Sequence, residues 1–368
     1  MNKITIIGAG AAGIGMGVIL KQLNYPDFQI IEQGEIGDSF QKWPKETRFI
    51  TPSFTSNGFG MPDLNAVTVD TSPAYTFGME HLSGRQYAHY LKLVAQAYQL
   101  PIVEHTTAKE TLTVDDGYQV ITSQGTITTK YLIMAVGQYH TPRLIPHPEN
   151  VLHYSQVDSW ESFSGHDQII VGANESGIDA AINLAQRGDK VTVITDETGL
   201  DADEADPSIR LAPHTQHRFM NLLLDHADRV NLVRHQHLVD VIHNDHGYEL
   251  LFEDGRRMES KERPILCTGF VAGPVTLWPD LFRFDGNQMV LNEFDESTVA
   301  SNIFVVGPDV RHQDAIFCYI YKFRQRFSVV MEEIAKREVL DISDLIEANQ
   351  RNDFYLDDCG SCGVACRC

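Results

Sequence analysis

Cysteine is scarce in the body of this chain. Of six cysteines in 368 residues, only Cys267 and Cys318 precede the last ten positions. That pattern excludes a small disulfide-stapled scaffold and suits a reducing compartment. Basic residues are also in short supply: 29 Lys and Arg face 50 Asp and Glu, for a formal net charge of -21. Nucleic-acid backbones and anionic membrane surfaces reward clustered bases, so neither is expected as a partner. The acidic excess reads as solubility. No apolar run is long enough to insert into a membrane without a break, because the stretch from Ile4 to Leu20 is interrupted by Gly8, Gly10, Gly13, Gly15 and Gly17. The first residues, KITIIG, enter a strand directly, with neither a charged leader nor a small-residue cleavage pattern, and the expected location is cytoplasmic.

Two enzyme signatures are missing as well. There is no G-x-S-x-G elbow and no H-E-x-x-H helix, so hydrolase and zinc-protease chemistry lack their minimum parts. His235, His237, His243 and His246 crowd a strand-turn segment without ligand spacing, and no metal is expected there. What remains is an ordinary globular composition, 43% hydrophobic and 21% charged, at a length that suits two domains.

One device is present twice. Residues 4–32 read as an apolar strand, the turn Gly8-Ala9-Gly10-Ala11-Ala12-Gly13, a helix, and a second strand closing on Glu32. In this pattern the first glycine permits a tight turn, the second lets backbone approach a pyrophosphate, and the third lets helix pack on strand. The helix N-terminus adds N–H donors, and the acid meets an adenosine ribose. Residues 168–196 repeat it with Gly172, Asn174, Gly177 and Asp196, and in both copies the outer glycines are five positions apart and the acid nineteen positions after the last glycine. Two such units imply two dinucleotides, or a duplicated fold with one silent site. Asn174 keeps the second alternative open, because a side chain there crowds the phosphate approach. Each unit is followed by a strand ending in a small-residue turn, YLIMAVGQYHTP and RPILCTGFVAG. NIFVVGPDV then precedes a helix expected from Ala315, on which Lys322, Arg324 and Arg326 read as a solvated or interface stripe. Material of the first unit thus flanks the second.

With these motifs the chain resembles flavoproteins that carry two dinucleotide-binding domains: flavin-containing monooxygenases, thioredoxin-reductase-like enzymes and bacterial flavoproteins associated with cation efflux. The resemblance covers Met1 to about Arg337. It implies an α/β fold of two Rossmann-like FAD/NAD(P)-binding domains, the second inserted in the first. Expected bounds are 1–147 with 274–340 for FAD, 148–273 for NAD(P)H, and 341–368 for an acidic linker and cysteine-rich tail. It places FAD against Gly8, Gly10, Ala11, Ala12 and Gly13, with Glu32 and Gln33 at the ribose, Gly137 and Gly307 at the turns, and Asp309 at the ribityl chain. Phe40, Trp43 and Thr51, in GDSFQKWPKETRFITPSF, are candidate isoalloxazine contacts. NADH or NADPH is expected at Gly172, Asn174, Glu175, Ser176, Gly177, Asp196 and Gly269. Asp196 leans toward NADH, while Arg187 or Arg210 is placed to favour a 2′-phosphate.

The implied activity is an FAD-dependent NAD(P)H oxidoreductase of monooxygenase-like type, passing hydride from nicotinamide to flavin N5 and then electrons to oxygen or another acceptor. A thiol-disulfide or thiol-metal reductase is the alternative, and a non-enzymatic flavin-bearing sensor the third reading. The substrate is a small molecule or a thiol. Three departures bear on this choice. The inserted domain has no C-x-x-C; Ala12 stands where bacillithiol-disulfide-reductase-like proteins carry a cysteine; and the monooxygenase fingerprint is only echoed by His153 and Ser155, with Pro148 at its aromatic position. The chain ends CGSCGVACRC, so Cys359, Cys362, Cys366 and Cys368 form a redox arm, a soft-metal clip or an inert tail. A redox arm must reach a flavin, either its own or that of a second subunit in a homodimer.

Overall fold

The computed structural model describes residues 3–55, 61–163, 167–196, 208–286, 288–313 and 315–358. The tail cysteines lie outside the described residues. The chain divides into two compact units, one built from Met1–Gln41, Thr51–Thr141 and the segment from Val271 onward, the other from Lys42–Ile50 and Pro142–Phe270.

Ten short strands form two five-stranded parallel sheets, one in each unit. In chain order they are β1 (Ile4–Ile7), β2 (Phe28–Ile31), β3 (Ile102–Val103), β4 (Tyr131–Met134), β5 (Leu152–His153), β6 (Gln168–Val171), β7 (Val191–Ile194), β8 (Val230–Val233), β9 (Ile265–Leu266) and β10 (Ile303–Val305). The first sheet runs β10-β4-β1-β2-β3 and the second β8-β7-β6-β9-β5. In each, the strand entering a glycine turn is central. On one side lies the strand that ends at the acid, and on the other the strand that ends in the small-residue turn. Runs such as ITII and YLIM are buried at every position, as strands covered on both faces must be. A three-stranded antiparallel sheet is appended to each unit, Ala108–Thr129 in the first and Leu238–Ser260 in the second.

The main helices are α1 (Ala11–Gln22), α2 (Gly84–Ala97), α3 (Glu175–Gln186), α4 (Pro213–His226), α5 (Phe327–Glu338) and α6 (Ser343–Arg351). The glycines that break the apolar run in α1 are demanded by its neighbours. A Cβ on Gly15 would stand 2.1 Å from the Phe327 ring, and one on Gly17 would stand 2.7 Å from Ile30. Among the described residues no helix is long and apolar enough to cross a membrane.

The segment after Asp309 differs from the expected helix. Arg311–His312 and Ala315–Ile316 form a small antiparallel ladder, helix starts only at Ile320, tightens over Arg324–Arg326, and continues as α5. Nor are Arg324 and Arg326 a solvated stripe, since they are 3% and 0% exposed. Arg324 donates to the carbonyls of Asp63 and Ala66, and Arg326 makes a two-point contact with buried Asp295 at 2.9 Å through both Nε and Nη2. These acceptors for the guanidinium N–H groups, although Arg324 Nε has none, offset the cost of burying the two charges. The stretch read as an acidic linker contains α6, whose Asn349 donates to Ser328 of α5 at 2.7 Å, and beyond it Phe354 is buried.

Candidate active site

The first glycine turn is shaped by backbone crowding. Gly8 has φ +106, and a Cβ there would lie 2.4 Å from the Ala135 carbonyl oxygen, while a Cβ on Gly13 would lie 1.8 Å from the Gly8 carbonyl oxygen. These two positions exclude any side chain. Gly10 differs: it is the N-cap of α1 at φ -80, and a Cβ there meets nothing within 4 Å. That open space at a helix N-terminus is the cradle an anionic group needs. Ala11 and Ala12 begin the helix and are buried, and Ala12 packs toward Gly307.

Glu32 closes the cradle. Its carboxylate, 7% exposed, accepts the Ala9 N–H at 2.7 Å and the Gly34 N–H at 2.9 Å. Burial pushes its pKa up, and the backbone donors pull back against that rise. A carboxylate has about four acceptor positions, so hydroxyls can still be received. Gln33 is exposed beside it. Gly137 (φ +61) has nothing within 4 Å of an added Cβ, and its carbonyl accepts the Gly273 N–H at 2.9 Å. The Asp309 carboxyl, partly accessible, has its pKa pushed up to about 6 by burial, against the pull of Arg311 and of the Gly273 N–H.

The second unit reproduces the turn almost atom for atom. A Cβ on Gly172 would lie 2.4 Å from the Cys267 carbonyl oxygen, and one on Gly177 would lie 1.9 Å from the Gly172 carbonyl oxygen. Strand-end hydrogen bonds match too, Gly8 N–H to Ile31 and Gly172 N–H to Ile194, both at 2.8 Å. Asn174 occupies the N-cap of α3 with φ -92 and ψ -164, against -80 and -167 at Gly10. Neither backbone requires glycine, so the difference lies in the space above the turn. Ser176 follows in the first turn of α3. Glu175 turns to α4 instead, accepting the Ala212 N–H and the Thr215 hydroxyl, each at 2.5 Å. Asp196, at the end of β7, pairs with His237 at 2.9 Å. Gly269 (φ +78) opens onto free space, and its carbonyl receives Nε2–H of buried His153 at 3.1 Å. Since Nδ1 of His153 accepts the Ser155 N–H, the neutral Nε2–H tautomer is fixed, and burial holds the pKa of this imidazole below its ordinary value.

The three ring-contact candidates are divided between the units. Phe40 and Thr51 belong to the first, where Phe40 meets Tyr87 edge-on at 4.8 Å and the Thr51 carbonyl accepts from Asn65. Trp43 belongs to the second and packs on Phe49 at 5.0 Å. Sequence reasoning passed over another cluster in the first unit: His140 Nε2 lies 3.3 Å from Asp38 Oδ2 and 3.3 Å from Ser39 Oγ. Its signal was available, since Asp38 and Ser39 stand in GDSF and His140 three residues after Gly137. Cys267 is buried, with its thiol pKa pushed far up by desolvation, so it is unsuited to thiolate chemistry. Among the described residues no group of His, Cys, Asp and Glu could hold a metal.

Residues 5–307 match the pyridine nucleotide-disulphide oxidoreductase family. The chain belongs to that family. It is a flavin-dependent oxidoreductase that uses a flavin with a nicotinamide cofactor. Among curated relatives, bacilliredoxin reductase Bdr of Bacillus subtilis is 24% identical over 350 residues, covering 92% of this chain and 98% of that protein. Among solved structures, bacillithiol disulfide reductase Bdr from Staphylococcus aureus superposes with a TM-score of 0.72 at 17% identity, over 91% of this chain and 98% of that one. A flavin-containing monooxygenase from Stenotrophomonas maltophilia reaches 0.66 at 17% identity, over 91% and 99% of the two chains. Both likenesses establish the shared fold. The open cradle at Gly10 and the spare acceptor capacity of Glu32 fit the flavin nucleotide this family requires.

Proposed function

We propose that this oxidoreductase binds FAD on the first unit and NADH on the second, and that its electron acceptor is a disulfide. The observation that carries the choice of acceptor is the end-to-end correspondence with a bacilliredoxin reductase, 92% of this chain against 98% of the relative. The bound flavin would supply the two-electron chemistry between nicotinamide and disulfide. The chain's own residues bind and orient. N–H groups of the Gly10–Gly13 turn would receive the pyrophosphate, Glu32 would take ribose hydroxyls, Asp309 would hold the ribityl chain, and His140, set beside Asp38 and Ser39, would hold a proton at Nε2.

NADH is favoured over NADPH for two reasons. Asp196 repels a 2′-phosphate. Arg187, one base placed to offset it, is engaged with Glu161 at 3.3 Å and Glu46 at 3.7 Å.

Oxygen as acceptor is the second reading, favoured by the His153–Ser155 echo of the monooxygenase fingerprint. In this structure those two side chains bond to each other at 2.9 Å and hold the Gly269 turn, which is a structural use. The deciding experiment measures NADH-driven turnover of hydroxyethyl disulfide without oxygen beside oxygen uptake without disulfide. Disulfide turnover at least tenfold faster supports the proposal. Oxygen uptake coupled to substrate oxygenation, with no disulfide turnover, overturns it.

A further inference from the structure

The walls of the flavin site in the first unit follow one another along a short stretch of chain. Gly307 packs against the first turn of α1, where its added Cβ would lie 3.4 Å from the Ala12 Cβ. Asp309 comes two residues later. The Gly273 N–H, which donates to the Gly137 carbonyl at 2.9 Å, also pulls on the Asp309 carboxyl. Arg311 is two residues further again. Val310 between them is fully buried, whereas Asp309 and Arg311 are both partly accessible.

Arg311 carries a donor without an acceptor. Its Nη1 is buried and meets no hydrogen-bond partner among the described residues. It acts on Asp309 through charge, with no hydrogen bond between the two side chains. Burying an unpaired guanidinium nitrogen is costly, and native proteins nearly always give such a group a partner. The other guanidinium nitrogens in this condition, on Arg210, Arg263 and Arg324, are all Nε, which has a single N–H. Nη1 of Arg311 is a terminal nitrogen with two.

The backbone that carries Arg311 is fixed. Arg311 pairs with Ile316 and His312 with Ala315 in the small ladder, and the Phe317 N–H donates to the Val310 carbonyl at 3.2 Å. His312 bonds the buried carboxylate of Asp295, which Arg326 holds from the other side at 2.9 Å. Moving the main chain to relieve Nη1 would break these links, so a ligand is the fitting source of its acceptor.

The chemistry of a flavin names that acceptor. The ribityl chain hangs from N10, and N1 with the C2 carbonyl lies on the adjoining edge of the ring. A donor next to the carboxyl that would hold the ribityl chain faces that edge. We propose that Arg311 contacts the N1–C2 carbonyl edge of the flavin and stabilises the negative charge that the ring carries once reduced. Hydride from NADH brings two electrons and one proton to N5 and leaves NAD⁺. N1 stays unprotonated, the ring holds one negative charge, and the guanidinium balances it. A cation at this edge favours the reduced flavin. The inference rests on the flavin lying in the first unit and holds whatever the electron acceptor.

The test is the midpoint potential of the bound flavin, measured by anaerobic dye equilibration on the full-length holoprotein. Arg311→Gln and Arg311→Met should each shift the two-electron equilibrium at least tenfold toward oxidised flavin, a fall of about 30 mV. Arg311→Lys keeps the charge and should recover at least half of that shift. In wild type, one proton taken up with two electrons gives a slope of about 30 mV per pH unit from pH 5.5 to 7. Arg311→Gln should steepen toward twice that slope at the acid end, as N1 takes up a proton. A wild-type slope of two protons per two electrons over this range overturns the proposal, and that measurement needs no variant to fold. So do unchanged potentials in Arg311→Gln and Arg311→Met that retain their flavin; the flavin assignment then stands and the role of Arg311 alone fails. Wild-type protein that retains no flavin overturns both.

Discussion

The Ala9 N–H donates to Glu32 at 2.7 Å, tying the first glycine turn to the end of the second strand. This bond shapes the ribose end of the cradle before any nucleotide arrives. Removing the acceptor leaves a buried N–H unsatisfied and removes a ribose partner at once. Glu32→Ala is expected to lower flavin content after desalting at least tenfold and to lower apoprotein stability by about 1–3 kcal/mol. Absorbance of the bound flavin and urea unfolding measure the two effects.

Gly10 and Gly13 should respond in opposite ways. In Gly10→Val the added Cβ meets no protein atom within 4 Å and needs no unusual backbone, so the apoprotein should fold within about 1 kcal/mol of wild type while flavin retention is lost. Gly13→Ala drives a Cβ to 1.8 Å from the Gly8 carbonyl oxygen and should cost more than about 3 kcal/mol. Equal stability losses in the two variants would contradict the assignment of a cradle to Gly10.

Asp309 gives a pH signature in the apoprotein. Its folded pKa, about 6, lies above the ordinary 3.8, so its contribution is full below 3.8 and is lost as pH rises through 6. Asp309→Asn apoprotein should gain on the order of 1 kcal/mol over wild type at pH 8, and the gain should vanish by pH 4. Thermal melts at the two pH values decide it.

His153 titrates with the other sign. Burial lowers its folded pKa below the ordinary 6.5, so its contribution is full above 6.5 and is lost as pH falls toward and through the folded value. Wild type should lose stability between pH 7.5 and 5 in excess of His153→Gln, which keeps a donor but does not titrate there. Unfolding curves that shift in parallel over this range would contradict the neutral-imidazole assignment.

The architecture was legible because the two glycine turns carry a spacing that backbone crowding enforces. Gly8, Gly13, Gly172 and Gly177 each face a carbonyl oxygen closer than any side chain allows. The acids were legible for the same reason, since each ends the strand beside its turn. The segment after Asp309 was not. Arg324 and Arg326 look solvated in sequence, and what buries them, carbonyls of Asp63, Ala66, Glu293 and Leu356, comes from positions far apart in the chain and carries no side-chain signal. The Asp38–Ser39–His140 cluster joins two segments whose motifs were visible, GDSF and the turn at Gly137, but whose meeting depends on the fold. The Glu175 carboxylate meets Ala212 and Thr215, a link that depends on where α4 begins and that its place in the glycine turn does not signal.

Cofactor choice on the second unit turns on Asp196. Asp196→Asn removes the charge that opposes a 2′-phosphate and should raise the NADPH-to-NADH ratio of kcat/KM at least tenfold, or about 1.4 kcal/mol. Steady-state kinetics with both cofactors measure it.

The most direct test of a two-nucleotide oxidoreductase is anaerobic stopped-flow mixing of the purified yellow protein with NADH or NADPH, followed at the flavin absorbance maximum. Full bleaching by NADH, faster than by NADPH, is expected, with recovery of the oxidised spectrum on adding hydroxyethyl disulfide. A flavin that neither cofactor bleaches would contradict it.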